Sequence, residues 1–537
     1  MTKSIFNYSA FALAKKVQEG ALSAVEILEA ALERVSMVDG RPGGLDTGDL
    51  TEEDQEKIHA FITLTEDRAR EQAEAVDARI RAGEAVGPLA GVPITIKDIF
   101  CIKDVLTTAG SCMLANFIPP YTTTAVERLE TAGAVTLGKV NLDEFAYGSS
   151  SESSAFQPAT RNPWNLARVP GGSSGGSAAS VAAGEAWLSL GTDTAGSIRQ
   201  PAAYCSVVGL KPTYGRISRY GLIAFGSSLD SAGPLARDVR DAALMLGTMA
   251  GADPRDSTAA TVDVPDYMEK IEEGVRGMRI GLSPQFMQIT YPGANAGEFL
   301  TQSLPEEIRK ATLHAAEVLA NTGAEIIEDV PMPHTVYSIP TYYVISRVEA
   351  ASNLHRFDGV KYGYRTTSDF QDLHEMFRKT RAEGFGLQPK LRVLMGTLFS
   401  TAHYNERYYH RALRMRSLIR SDFDSAFDPK GAYRLDALLT PTTPTTAFKM
   451  GDVYGDSVLM QYADQMTVPA NHAGIPALSI PAGMDHQGLP IGVQLLGPDF
   501  MEEALFKMGY AFEQGTAQES WRKAKPKVLE NGNGALL

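Results

Sequence analysis

Apolar residues recur at helical spacing from Ser23 onward, where Val25, Leu28, Leu32 and Val35 follow one another every three or four positions. Such a period places them on one stripe of an amphipathic helix packed on a core. Ser23-Ala24-Val25-Glu26 supplies its start as a capping box, the serine accepting from the first turn while the glutamate reaches back. The spacing predicts further helices over about 67–82, stopped by Gly83, over 122–132 and over 305–322. Strands are predicted over 134–137, 278–282 and 324–330, and Pro88-Leu89-Ala90-Gly91 turns the chain into the strand-like run GVPITIKDIF that carries Lys97. This alternation of strand and helix argues for an α/β fold, a β-sheet core covered by helices on both faces. An N-terminal helical segment spans 1–85, and GRPGGLDTGDLTEEDQEK at 40–57 interrupts it as an exposed loop. From Trp521 the chain turns polar, and 521–537 reads as a flexible tail with its disordered end beyond about 530.

The pattern changes most sharply at 170–201, PGGSSGGSAASVAAGEAWLSLGTDTAGSIRQP. Two Gly- and Ser-rich loops, 171–177 and 191–197, flank an apolar run from Ala178 to Leu190, read as a small-residue helix and then a short strand over 187–190. A flexible linker would be polar and featureless. Glycines in such loops let the backbone adopt φ > 0 and approach a ligand closely. Successive N–H groups in these turns form a concavity suited to an anion or a developing oxyanion. By itself, a GGSSGG stretch is a turn.

In order along the chain, GVPITIKDIF, GGSSGGSAA and GTDTAGSIRQPAA resemble the motifs of the amidase signature hydrolases. The resemblance implies one amidase signature domain over 1–520 with a mixed sheet, and a Ser-Ser-Lys catalytic unit. Carried over residue by residue, Ser197 would be the nucleophile, Ser173 the bridging serine behind a cis peptide bond, and Lys97 the base. The two serines stand 24 residues apart, as in the family. Backbone N–H groups of Thr194, Ala195, Gly196 and Ser197 would form the oxyanion hole. The family has glycine where this chain has Ala195, which the hole tolerates if that residue keeps φ < 0. The loop Gly148-Ser149-Ser150 would lie beside the substrate.

The chemistry stands on its own terms as well. A serine hydroxyl is a weak nucleophile without an adjacent base. Lys97 can be that base only when neutral, a state that burial among Val92, Ile94, Ile96, Ile99 and Phe100 would favour. A lysine in an apolar run otherwise snorkels from a strand end to water.

The last third resembles one branch of the family, the glutamine-dependent tRNA amidotransferases, through ISRVEAASNLHRFDGVKYGYR, GFGLQPKLRVLMGT, LLTPTTPTTAFKMGD and YADQMTVPANHAGIPALSIPAG. It covers about residues 5–515, with 40–57 and 288–303 as insertions. The resemblance implies glutamine as substrate, Arg392 on its α-carboxylate, Asp464 on its α-ammonium, and a flanking hydrogen bond from Tyr343, which has Tyr342 beside it. Arginine suits the first role because its planar fork binds a carboxylate bidentately. The implied partners are subunits B and C of a heterotrimer and, through them, mischarged tRNA. ATP and Mg²⁺ would belong to the tRNA-binding subunit, with no cofactor in this chain. Two rivals remain: a free-standing amidase for another small amide, and a non-catalytic scaffold, the latter motivated by Ala195.

Composition adds exclusions. The 537 residues carry a net charge of −14, without the basic footprint of a direct nucleic-acid binder. Cys101, Cys112 and Cys205 show no CxxC spacing, which argues for a reducing compartment and against structural zinc. The nine histidines show neither metal spacing nor the pattern of a Ser/His/Asp triad. No Walker-type or dinucleotide-binding glycine motif occurs. Neither a signal-peptide pattern nor a bilayer-length apolar run is present, and a cytoplasmic location is expected.

Overall fold

The computed structural model describes residues 5–46, 48, 50–293, 295 and 298–530. Its strands are β1 Phe61–Leu64, β2 Pro93–Lys97, β3 Val135–Val140, β4 Leu188–Asp193, β5 Val208–Lys211, β6 Ser231–Ala236 and β7 Arg279–Gly281. They continue as β8 Gln288–Pro292, β9 Phe299–Ser303, β10 Glu325–Ile327, β11 Ala437–Pro441, β12 Ala477–Met484 and β13 Pro490–Leu496. Eleven of them join in one sheet of order β1-β3-β2-β4-β6-β5-β12-β13-β11-β7-β10, while β8 and β9 form a separate hairpin. The sheet is mixed. Strands run parallel across β3-β2-β4 and across β11-β7-β10, and antiparallel through the middle.

Every residue of β2, β3 and β4 is buried. A strand buried at successive positions is covered on both faces, and here polar members including Thr95, Lys97, Thr136, Lys139 and Ser189 are buried along with the apolar ones. The helix Arg199–Cys205 packs on β12 and β13, and the helices Val239–Met249 and Glu502–Gly515 pack on β6 and β12 respectively and on each other.

The expected helices form as Ala24–Val38, Glu66–Arg81, Thr124–Thr131 and Glu306–Asn321. In the signature stretch the helix is Gly175–Ala182, but β4 outlasts the expected 187–190. Gly191, Thr192 and Asp193 pair with Gly233, Ala232 and Ser231 of β6, so the second glycine-rich loop begins three residues later. The strands at the two ends of the 288–303 segment pair as the β8–β9 hairpin.

The 40–57 segment is largely exposed yet anchored. Arg41 Nε and Nη2 donate to the two carboxylate oxygens of buried Asp54 at 2.9 Å each. The tail departs from expectation up to Glu530, because Val528 buries its side chain and donates its N–H to Pro163 O at 3.2 Å. Residues 531–537 lie outside the described residues.

The capping box at Ser23 forms as expected, with Ser23 N–H donating to Glu26 Oε2 and Glu26 N–H to Ser23 Oγ. Asp77, from the helix Glu66–Arg81, reinforces it by accepting from Ala24 N at 2.7 Å, Ser23 Oγ at 2.9 Å and Val25 N at 3.2 Å. Removing it leaves buried helix-start donors unpaired. Asp77→Ala is expected to lower unfolding stability by about 2–3 kcal/mol in a denaturant titration while leaving the chemistry of the site unchanged.

Candidate active site

Parallel pairing of β2 with β4 brings the C-terminal ends of both strands together. In open α/β sheets that is where ligand sites form. Lys97, the last residue of β2, is fully buried, and its Nζ lies 2.7 Å from Ser173 Oγ, 2.9 Å from Ser174 Oγ and 2.7 Å from Thr192 Oγ1. Burial pulls this amine down to about 7, with Asp143, Asp193 and Asp230 acting the other way. A neutral amine has two N–H donors and one lone pair. Three hydroxyls suit that inventory, one donating to the nitrogen and two accepting from it.

The Gly172–Ser173 peptide is cis. A Cβ at Gly172 would stand 2.1 Å from Asp143 Oδ2, so only glycine fits. Asp143 holds the neighbouring serine loop, accepting from Ser151 N at 2.9 Å and Ser153 Oγ at 2.8 Å. Gln200 closes the gap between the loops: it accepts from Gly172 N and donates to Ser149 O, both at 2.8 Å.

Ser197 sits on the loop after β4, 6% exposed, and its carbonyl accepts from Ser174 N at 3.1 Å. Ala195 is not among the residues with positive φ, whereas Gly196 has φ +142°. A side chain at Gly196 would also meet Thr467 Oγ1 at 2.2 Å. That hydroxyl donates to Ala195 O at 2.6 Å, and Thr194 Oγ1 donates to Asp230 at 2.7 Å. Behind the loop, Asp193 pairs with the fully buried Arg199, which also donates to Thr467 O, Gln494 Oε1 and Asn471 Oδ1. The N–H groups of 194–197 are thus presented on a backbone fixed from several sides.

Next to this loop, Asp464 is buried and accepts from Ser149 Oγ at 2.5 Å through Oδ2, while its Oδ1 has no hydrogen-bond partner among the described residues. Burial pushes its carboxyl well above the usual carboxylate range. Arg392 is also buried. It donates to Gln388 Oε1 at 2.6 Å, and its guanidinium lies 4.8 Å from the centre of the Tyr147 ring. Of the adjacent tyrosines, Tyr343 lies under the Arg347 guanidinium at 3.3 Å. Tyr342 is the more buried, and the charges of Arg392 and Asp464 both act on its hydroxyl.

Ser149 is therefore joined directly to Asp464 and through Gln200 to the Gly172–Ser173 peptide, and the Ser197 carbonyl meets Ser174 N, while Arg392 stands over Tyr147, two residues before Ser149. Sequence reasoning missed Ser174, Thr192, Gln200 and Thr467. Ser174 lay in plain view beside Ser173; Thr192 needed the β2–β4 pairing, and Thr467 a contact across more than 270 residues. Among the described residues no cluster of three or more His, Cys, Asp or Glu could hold a metal ion.

The amidase family pattern matches residues 49–506. Fold and match define an amide-hydrolysing enzyme, and the chain belongs to the amidase family. Within it, the chain is 48% identical to the A subunit of glutamyl-tRNA(Gln) amidotransferase from Carboxydothermus hydrogenoformans, over 98% of this chain and all of that one. The crystal structure of the same subunit from Thermotoga maritima is similar with a TM-score of 0.72 at 35% identity, covering 96% of each chain. A peptide amidase in complex with chymostatin is similar at TM-score 0.76 and 32% identity, over 95% of this chain and 98% of that one.

Two predictions arise from the geometry. The pKa of Lys97 is lowered from 10.5 to about 7, so the neutral base is depleted only below that pH. Labelling of Ser197 by an amide-directed electrophile should rise about tenfold per pH unit below 7 and level off above it, and Lys97→Ala should abolish it with the circular dichroism spectrum retained. Gly196→Ala should reduce turnover by about a hundredfold or more, the cost of a displaced oxyanion donor, read as kcat for amide hydrolysis.

Proposed function

We propose that this chain is the glutamine-hydrolysing component of a glutamyl-tRNA(Gln) amidotransferase, with residues 1–520 acting as one amidase domain. Neutral Lys97 draws a proton from Ser197 through Ser173, and Ser197 Oγ attacks the side-chain carbonyl carbon of glutamine. The oxyanion is met by backbone N–H groups of Thr194, Ala195, Gly196 and Ser197. The proton returns to the departing nitrogen, the C–N bond breaks, and ammonia leaves a γ-glutamyl ester on Ser197. Water, activated by the same base, then releases glutamate. Asp464, held by Ser149, takes the α-ammonium, Arg392 the α-carboxylate, and Tyr343 flanks them.

The ammonia passes to an activated glutamyl group, or in a wider specificity an aspartyl group, on mischarged tRNA bound by the partner subunits B and C. ATP and Mg²⁺ act there. The reading assigns the protein to the cytoplasm, and no helix among the described residues is long and apolar enough to cross a membrane.

The observation that carries it is Asp464: a buried carboxyl group with one oxygen unpartnered among the described residues and the other on Ser149, a loop away from Lys97 and Ser173, whose ionised form a bound ammonium would stabilise. Left unpaired, such a group costs stability, and an ammonium satisfies it. The near-full-length relatives that carry this subunit's name support the same reading.

Ammonia release from glutamine should appear or rise sharply when the chain is co-expressed with subunits B and C and supplied with mischarged tRNA. Full partner-independent hydrolysis of amides lacking an α-carboxylate would make it a free-standing amidase instead. Arg392→Ala and Asp464→Asn should each raise KM for glutamine by about a hundredfold and leave Ser197 labelling by a small uncharged electrophile intact.

A further inference from the structure

The helix Leu387–Ser400 carries Arg392 on its buried face, together with Gln388, Gly396 and Phe399. That face is pressed against its neighbour: a Cβ on Gly396 would stand 2.0 Å from Arg347 O. The start of the helix is fixed as well, since Glu144 Oε1 accepts from Gly386 N at 3.0 Å.

The opposite face is unlike the rest of the surface. Leu387, Leu391, Leu394 and Leu398 recur at spacings of four, three and four residues, the alternation of a heptad seam. Leu387 is 58% exposed, Leu394 68% and Leu398 42%. Isolated exposed leucines need no explanation, but three exposed ones in register on one helix, with the half-buried Leu391 between them, form a surface shaped to receive a second helix.

Charge says what kind of helix. Residues 387–418 hold six Lys or Arg and one Glu, in a chain whose net charge is −14; with Arg392 buried toward the site and Arg416 donating to His472 O and Ser228, the other four are Lys390, Arg407, Arg411 and Arg414. Arg407, Arg411 and Arg414 are exposed and form no ion pair among the described residues. This basic stretch follows the seam in the chain across the short turn 401–408 and runs into the next helix, Tyr409–Phe427. A second copy of the chain would bring like charges together here. A nucleic acid would engage the arginines and leave the leucines in water.

We propose that the leucine seam of 387–398 docks an acidic amphipathic helix of a partner chain, and that docking holds the helix bearing Arg392 in its glutamine-binding position. The partner is one of the other amidotransferase subunits, so this rests on the function proposed above. One rigid helix then joins the two events, a partner on its outer face and the substrate carboxylate on its inner one.

The test uses the chain co-expressed with subunits B and C. Leu394→Glu and Leu398→Glu, both at exposed positions, should weaken association at least about tenfold in titration calorimetry. They should also raise KM for glutamine in whatever complex forms, while Ser197 labelling in the isolated chain stays at the wild-type rate and so reports an intact fold. In the wild-type complex, amide hydrogen exchange over 387–398 should slow. A wild-type chain that binds neither partner would overturn the amidotransferase reading and the docking with it. A complex that forms equally well with both variants and leaves 387–398 unprotected would overturn the docking alone. So would a self-associated wild-type chain that the variants dissolve, or an association lost only when tRNA is removed.

Discussion

A primary amine held out of water sets the terms for this structure. Burying an ammonium is costly unless a counter-charge or a shifted protonation state compensates. Around Lys97 the nearby carboxylates are already engaged. Asp193 is paired with Arg199, Asp143 accepts from the 150–153 loop, and Asp230 accepts from Phe225 N, Gly226 N and Thr194 Oγ1. What remains for Lys97 is a ring of hydroxyls from Ser173, Ser174 and Thr192. Hydroxyls can serve a neutral amine, and burial favours that form. The positions of β2, β4 and both glycine-rich loops follow from holding those four side chains at one point.

On the function proposed above, chemistry and recognition are drawn from different parts of the chain. The serine–lysine centre comes entirely from residues 97–197, whereas Arg392 and Asp464 arrive from the last third. Their connections are made by side chains with no reacting atom to touch: Gln200 between the two serine loops, and Thr467 between Ala195 and the segment that carries Asp464. On that reading, an amide-hydrolysing centre is thereby joined to a recognition element that comes from a separate part of the chain. The similarity to a peptide amidase over most of the chain is in keeping with that division.

The sheet-and-helix pattern and the loops that meet at Lys97 were legible in the sequence because local signals carry them: periodicity, capping residues, and glycines whose spacing is positional. Several features were not. The added length of β4 depends on β6, a partner about forty residues on, and no local propensity reports it. Thr192 faces Lys97 only through parallel pairing. Val528 looks like tail composition, yet it is buried, and only the three-dimensional surface at Pro163 says why. The choice between Tyr342 and Tyr343 likewise turns on helix orientation, which two adjacent identical residues cannot disclose.

The strand order has a consequence for the chain's own synthesis. β12, β13 and β11 lie in the interior of the sheet, between β5 and β7, although they are the last to be made. Arg199 beside the serine loop takes Asn471 and Gln494 as partners, so its surroundings are incomplete until that region has left the ribosome. A nascent chain can hold every residue of the serine–lysine centre and still lack the backing that fixes it. The backing of the serine loop is thus completed only when the last three strands have joined the sheet.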